Sequence, residues 1–305
     1  MDPKTDSAPI SIDQSKPASA APEKSTPKRA YPGTYDNMFM EAKSVVMVDI
    51  LDGFRASVMK QVTPFFAITH ELMLGSQFFP REIGNSLYNL SIDVFYRKKN
   101  INATIDSTGR IGGRFIWPIN KEYNAIFNVV TSNVPGQDNA TAELHYKGSD
   151  FHLTGKVASG SSLSATYCQY INDKWSAGME VGHNPVHPGL VYSVAVKRLL
   201  ETGFVGATVS STKQVEAWYL MNASKRTKFI SKLTVDLASR MSEFQVGCMY
   251  YFKSGKMNMS LTSQGHLQSY IEEYVTPSLL MTLSVDHNVF ANMSRIGFGM
   301  KVTMA

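Results

Sequence analysis

The 305-residue sequence lacks any run that approaches the ~20 consecutive apolar residues required by a membrane-spanning helix. Charged residues are also scarce: they make up 18% of the chain, against about 25% in typical soluble domains. Mean hydropathy is only −0.15. A membrane protein with this profile must be a β-barrel, because barrel strands hide their apolar half in alternation with polar residues. A soluble all-β protein is the commoner explanation of the composition alone, so the pattern along the chain has to decide.

Cysteine is almost absent, and so are catalytic and metal-binding motifs. Cys168 and Cys248 point to opposite faces of their predicted strands, so we expect no disulfide between them. The seven histidines lack the spacing of zinc ligands, and no glycine-rich phosphate loop follows a strand. The net charge of +5 is spread along the chain, without the basic run interleaved with aromatics that marks nucleic-acid binders. We therefore predict a protein that is not an enzyme, needs no cofactor or metal and binds no nucleic acid.

The N-terminus lacks an apolar core that could act as a signal peptide. Its acidic residues, among them Asp2 and Asp6, also argue against a cleaved mitochondrial presequence. A bacterial outer-membrane barrel needs export, so we expect a barrel in this chain to belong to an organelle. Residues 1–30 contain five prolines and no aromatic residue, which predicts a disordered tail.

A single amphipathic helix is predicted within residues 31–49, with Thr34 as its N-cap. Its apolar residues recur at helical spacing from position 35 to position 46, on one face. This face holds Tyr35, Met38, Phe39, Ala42, Val45 and Val46. A lone amphipathic helix before a β domain could plug a barrel, lie on a membrane or pack on a sheet. Periodicity does not choose among these positions.

Residues 50–305 are predicted to form one β domain of about nineteen strands, separated by turns rich in Gly, Pro, Asn, Asp and Ser. Most segments have the length of a tilted membrane strand. The predicted strands are 53–62, 64–74, 86–96, 98–106, 110–118, 121–131, 138–147, 149–158, 161–171, 173–183, 188–198, 202–210, 214–222, 226–238, 241–251, 255–264, 266–275, 277–287 and 292–303. Their polar faces carry Ser, Thr, Asn and Gly with scattered charges of both signs, which is typical of a wetted lumen.

The last two strands show the two-residue period most clearly. Leu283 and Val285 alternate with Ser284 and Asp286, and the last strand repeats the pattern between residues 295 and 302. That last stretch also fits a polar-x-Gly-x-x-apolar-x-apolar pattern, which resembles the C-terminal sorting signal of mitochondrial outer-membrane barrels. The residues that carry it are Arg295, Gly297, Met300 and Val302.

Several short segments resemble the channel-forming subunit of the mitochondrial outer-membrane protein translocase, and they occur in that family's order. The resemblance covers roughly residues 31–303. The matching segments are Tyr31-Pro-Gly-Thr-Tyr before the helix, Gly53 and His70 in the first hairpin, Tyr146-Lys-Gly-Ser-Asp-Phe151, Leu163, Ala165, Tyr167 and Gln169 in the next strand, Ser239-Arg-Met241, and Val285-Asp-His287 before the closing strand.

The resemblance implies an all-β fold: a transmembrane antiparallel β-barrel of about nineteen strands, with the N-terminal helix inside the pore. An odd strand count makes the first and last strands, near Phe54 and Ile296, close the barrel in parallel. It also implies the mitochondrial outer membrane as the location and membrane lipid as the surroundings. The implied partners are mitochondrial precursor proteins, small single-helix translocase subunits, receptor subunits and further copies of the barrel.

The function that follows is a protein-conducting channel that imports unfolded, presequence-bearing precursors. Presequences are basic amphipathic helices, so acidic side chains in the lumen would attract them without holding them tightly. For any single charge, a simple ion pair within the pore wall is an alternative role. By alternation the lumenal acids are Asp93, Glu143, Asp150, Glu180, Asp236, Glu243, Glu272 and Asp286. An anion-selective metabolite porin of the same fold is the first alternative function, and a soluble β-rich interaction protein is the second.

Overall fold

The computed structural model of the chain describes residues 33–75, 86–132, 136, 138–185 and 187–304. The predicted tail, residues 1–30, lies outside the described residues. No helix in the described ranges is long and apolar enough to cross a membrane.

Nineteen β-strands follow one short helix, and every strand boundary lies within two residues of the range predicted from the sequence. The two-residue period and the turn residues are local signals, which explains this agreement. The strands are β1 Gly53–Thr63, β2 Phe66–Leu74, β3 Ser86–Tyr96, β4 Lys99–Asp106, β5 Ile111–Pro118, β6 Tyr123–Thr131, β7 Asn139–Lys147, β8 Phe151–Ala158, β9 Ser162–Asn172, β10 Trp175–Asn184, β11 His187–Leu200, β12 Gly203–Ser210, β13 Gln214–Asn222, β14 Thr227–Asp236, β15 Met241–Tyr251, β16 Gly255–Thr262, β17 His266–Thr276, β18 Leu279–Asn288 and β19 Met293–Met304.

The strands form one closed sheet in which each strand pairs with its neighbours in sequence. All these neighbours are antiparallel, and β1 closes the barrel by pairing in parallel with β19, from Gly53 opposite Gly297 to Lys60 opposite Met304. The predicted barrel and its parallel closure are confirmed. Closure leaves no open sheet edge in the wall. We call the end where β1 begins the N rim, and the end where β19 finishes the C rim.

Side chains alternate between the inside and the outside of the barrel, apart from register shifts near the ends of β1, β9, β11 and β17. On β18, Ser284 is fully buried and points inward, whereas its neighbour Leu283 is 44% exposed on the outer surface. On β19, Gly297 faces inward beside Leu51, while the ring of Phe298 stacks on that of Phe54 outside. The outer surface is apolar, as the sequence pattern predicted, and the inner surface is polar except where buried side chains such as Phe204, Leu220 and Ile230 line it.

The helix α1 spans Met40–Val46 and is shorter than the predicted 35–46. Residues 35–39 instead form turns, and Phe39 at φ −112° and ψ 16° is the N-cap of α1 without a side-chain cap. The prediction of Thr34 as the helix cap is therefore wrong. The Oγ1 of Thr34 accepts the N–H of Asn37 at 3.3 Å, so it caps the preceding turn. Docking of Phe39 on the barrel wall overrides the helical propensity of this stretch.

Candidate functional site

The lumen is crossed by the N-terminal segment, residues 33–52, which follows the inner wall from β8 to β18. At its start, the Asp36 carboxylate accepts a hydrogen bond from Lys156 Nζ on β8 at 2.8 Å. At its end, the Leu51 N–H donates to Ser284 Oγ on β18 at 2.8 Å. Between these points α1 packs on β13–β16. The predicted position of the helix inside the pore is confirmed.

Apolar side chains of the wall hold the N-terminal segment in place. The ring of Phe39 stacks on that of Trp218, with centroids 5.8 Å apart and planes 9° from parallel, and also contacts Phe204. Two inward glycines make room for these rings. A Cβ on Gly178 would lie 2.7 Å from Tyr35, and a Cβ on Gly206 would overlap Phe39. The predicted helix face supplies the core of the protein: Met38, Phe39, Ala42, Val45 and Val46 are all at most 5% exposed.

Polar contacts hold the N-terminal segment to the wall at the turns of residues 35–39. The Nζ of Lys197 donates to the Met38 carbonyl at 2.8 Å and lies 4.1 Å from the ring centroid of Phe204. The Tyr35 hydroxyl lies 2.6 Å from Ser193 Oγ. Burial raises the pKa of the Tyr35 hydroxyl, and the hydrogen bond to Ser193 opposes that shift only in part. The phenol is therefore neutral at physiological pH, so the segment is held here without a charge.

The helix itself is tied to the wall at its carbonyl end. Asn258 Nδ2 donates to the Ser44 carbonyl at 3.1 Å, and Gln245 Nε2 donates to the Val46 carbonyl at 3.4 Å. The last carbonyls of a helix lack partners within the helix, so these wall amides satisfy them.

The inner faces of β2–β7, here called the open wall, carry rows of polar side chains. One row runs across five neighbouring strands in register, and Asn102 Nδ2 donates within it to Asp93 at 2.8 Å. The row consists of Asp93, Asn102, Arg114, Asn128 and Thr141. Such a surface offers a passing chain many hydrogen bonds that exchange readily with water.

Two of the eight predicted lumenal acids lie in or beside turns at the rims. Asp150 sits between β7 and β8 and accepts from Gln169 Nε2 at 3.1 Å. Asp236, at the end of β14, accepts the N–H groups of Ala238 and Ser239 at 2.8 and 3.2 Å. Asp236 thus bonds the backbone of its own turn, as Asp side chains readily do, whereas Asp150 bonds a side chain of β9.

Two more of the predicted acids are paired with lumenal bases. Glu143 lies 3.7 Å from Lys156 and 3.3 Å from His145. Glu272 lies 2.9 Å from Lys256 and also accepts from the Tyr270 hydroxyl at 2.9 Å.

The other four predicted acids are spread around the wall. Glu180 lies on the inner face of β10, the strand that carries Gly178 beneath Tyr35. Glu243 is half-buried near the start of β15, and Asp93 belongs to the open wall. Asp286 is 3.7 Å from His266, and its Oδ1 is buried without a hydrogen-bond partner. The eight acids thus line several parts of one lumen and do not gather at one point.

The sequence analysis missed two inward acids, Glu71 and Glu216, and several inward lysines. Glu71 accepts from Arg55 Nε across β1 and β2, and Glu216 lies 3.0 Å from Lys232. The two-residue period places both acids on the inner face of β2 and β13, so the signal was present in the sequence. The missed lysines are Lys197, Lys228 and Lys256.

The four residues of the predicted sorting signal lie on β19, which closes the barrel. Arg295 and Gly297 face inward, whereas Met300 and Val302 face outward. Cys168 is buried in the lumen and Cys248 faces outward, and both are free, as predicted. Within the described ranges, no group of three or more His, Cys, Asp or Glu side chains could hold a metal ion.

Comparison with known proteins gives two matches that cover nearly the same part of the chain. Residues 31–299 match the family model described as eukaryotic porin. The chain is also 20% identical, over 278 residues, to a protein of Arabidopsis thaliana described as probable mitochondrial import receptor subunit TOM40-2. That alignment covers 88% of this chain and 89% of the relative.

Proposed function

The chain belongs to the eukaryotic porin family, and from that premise we propose that it conducts unfolded, presequence-bearing precursor proteins into mitochondria. It is a β-barrel channel of the mitochondrial outer membrane. Membership of this family contradicts the soluble alternative. A channel has no chemical step to perform, so we propose that the protein is not an enzyme.

Pairing of the lumenal bases is the observation that carries the proposal. Anion selectivity requires basic side chains that stay uncompensated along the pore. Here five inward bases lie within 4 Å of a carboxylate of the wall or of the N-terminal segment. They are Arg55, Lys156, Lys228, Lys232 and Lys256. Arg114 and Lys197 lie on the inner wall outside these pairs, but the pairing leaves fewer uncompensated bases along the pore and favours the import channel over an anion-selective metabolite porin.

The open wall supports passage of an extended chain or a single helix. A barrel wider than the ~16–18-strand porins encloses an aqueous channel, and a helix with its side chains needs about 10–12 Å. The N-terminal segment is held by β8–β18 and leaves the polar rows of β2–β7 facing the lumen. A moving chain can exchange contacts along these rows without being captured.

We assign contact with precursors to the lumenal acids as a set. Asp93, Glu143, Glu180, Glu243, Glu272 and Asp286 lie on inner faces. Asp150 and Asp236 would act at the rims, where a basic presequence enters or leaves. The similarity to a relative named as an import receptor subunit supports this role. We further propose small single-helix subunits, receptor subunits and other copies of the barrel as partners, and residues 295–302 as the sorting signal.

Single-channel recording in planar bilayers tests the proposal. We expect a basic amphipathic peptide of the presequence type to block the current, because the lumenal acids attract it. The double variant Asp93→Asn, Glu143→Gln should shorten the duration of each block about 2- to 5-fold, because each carboxylate attracts the basic peptide through a partly screened interaction. The matched control is Asp173→Asn with Glu201→Gln, two exposed acids in C-rim turns. Indifference of the wild type to the peptide, with a strong preference for anions, would establish the metabolite porin instead.

A further inference from the structure

Aromatic side chains cluster on the outer surface at one end of the barrel. They lie near the C rim on strands between β3 and β10, and several contact each other across neighbouring strands. The ring centroids of Tyr123 and Tyr146 are 4.8 Å apart, and those of Tyr146 and Phe151 are 5.6 Å apart. We call this group the C-rim belt: Tyr96, Trp117, Tyr123, Tyr146, Phe151 and Trp175.

Basic side chains lie over the rings at both ends of the belt. The guanidinium of Arg97 is 5.4 Å from the ring centroid of Tyr96, and Lys99 Nζ is 4.8 Å from that of Trp117. At the other end, the guanidinium of Arg198 is 5.3 Å from the ring centroid of Trp175. Each contact lies within the range of cation–π attraction. All three bases stand on or beside outward positions, because their partner rings face outward.

These bases have no acidic partner of their own. None of Arg97, Lys99 and Arg198 forms an ion pair with a carboxylate in the part of the chain that the structure describes. This contrasts with the inner wall, where five bases are paired. The positive charge at the C rim therefore remains available to a ligand from outside the barrel.

The opposite rim is built differently. Many outward positions next to the N rim hold aliphatic side chains, each 45–53% exposed: Ile105, Ile111, Val157, Leu163, Val209 and Leu261. Rings also occur there, at Tyr88, Tyr192 and Phe244, but in the described part of the chain no base lies over these three rings. An aliphatic side chain at this depth packs against lipid tails and has no group that binds a headgroup. Outward rings with an unpaired base lying over them are thus a feature of the C rim in the part of the chain that the structure describes.

We propose that the C-rim belt is a binding surface for the headgroups of anionic phospholipids, with Arg97, Lys99 and Arg198 as the phosphate-binding side chains. Aromatic rings settle at the level of the headgroups, which places the adjacent bases against the phosphate layer. Each base near an anionic leaflet adds attraction, and the rings hold it in place. The headgroup charge complements the unpaired bases, and the lipid tails complement the apolar strands below. The proposal does not depend on the import role.

Tryptophan fluorescence of the full-length protein in vesicles provides the test. The chain has three tryptophans, and Trp117 and Trp175 belong to the belt, whereas Trp218 lies under Phe39 inside the barrel. Two vesicle preparations contain phosphatidylglycerol and phosphatidylcholine at equal mole fractions. In one the phosphatidylglycerol is brominated, and in the other the phosphatidylcholine is brominated. We expect the anionic lipid to associate about two to five times more strongly around these rings.

Variants assign that preference to the three bases. Arg97→Gln, Lys99→Gln and Arg198→Gln together should bring the relative association close to one, and Lys99→Arg alone should retain it. The matched control is Lys213→Gln with Arg240→Gln, in turns of the N rim, which should leave the preference intact. An unchanged β spectrum verifies that each variant is folded. Equal quenching by both lipids in the wild type would overturn the proposal, as would an equal loss in the N-rim control.

Discussion

At the scale of single residues, packing of the N-terminal segment on the wall depends on inward glycines, which leave room for its rings. Gly206 on β12 lies directly beneath the ring of Phe39, and Gly178 on β10 lies beneath Tyr35. An inward residue with a Cβ at either position would stand where a ring now packs. A Cβ added to Gly155, which faces outward on β8, would have no other atom within 4 Å. The inward or outward direction of each position therefore decides what a substitution costs.

The variant Gly206→Ala should loosen the segment, because its methyl group would overlap the Phe39 ring. We expect a cost of about 1–3 kcal/mol, as for other overpacked sites. Trp218 then becomes accessible, so quenching of its fluorescence by iodide should rise. Gly155→Ala, which makes the same change in open space, should leave quenching as in the wild type. Equal quenching in the two variants would show that Gly206 does not support the segment.

At the scale of elements, α1 is stable only because the wall holds it. Seven residues are too few for an isolated helix in water, and its apolar face is completely buried against β13–β16. The exposed face carries Met40, which is 54% exposed, and Glu41, which pairs with Lys228 at 2.6 Å. Packing on one face thus outweighs local propensity in this element.

Truncation of the buried face should release α1 from the wall. Phe39→Ala removes a ring that is 5% exposed and leaves a cavity beside Trp218, so we expect a loss of about 3–5 kcal/mol in docking. Limited proteolysis should then cut near residue 40, and single-channel traces should show additional conductance levels. Met40→Ala is the control on the exposed face of the same helix. Cleavage at the same rate in both variants would contradict this account of the docked helix.

The elements also show which features the sequence could predict. The strands were predicted to within two residues, because alternation and turn chemistry act between near neighbours. The length of α1 was not predicted, because it depends on contacts between residues distant in sequence. Tyr35 contacts Ser193 and Lys197 contacts Met38, across separations of 158 and 159 residues. The pairing of Arg55 with Glu71 depends in the same way on which side chains reach each other once the barrel has closed. Inward direction was thus predictable, but the partner of each charge was not.

At the scale of the whole molecule, the N-terminal segment divides the inner wall into two unequal surfaces. The N-terminal segment covers the inner face from β8 to β18 and then continues into β1. At the edge of the open wall, Glu71 on β2 pairs with Arg55 on β1, and Arg55 also lies 3.8 Å from Asp49 of the N-terminal segment. This pair has a side-chain exposure of 37% for the base and 15% for the acid, so it stands at the water-filled part of the lumen.

Ion selectivity should therefore respond in opposite directions to the two halves of this pair. Glu71→Gln removes the nearer carboxylate and leaves Arg55 with Asp49 alone, 3.8 Å away, so the reversal potential in a salt gradient should move toward that of an anion-selective pore. Arg55→Gln leaves Glu71 uncompensated and should move it toward cation selectivity. The double variant restores neutrality and should lie close to the wild type, which makes it a control for changes in pore shape. Long-range screening shortens the reach of each charge to about 8 Å at physiological salt, so both shifts should shrink as ionic strength rises. Shifts of the same sign in both single variants would show that the pair acts on the barrel's shape and not on its permeant ions.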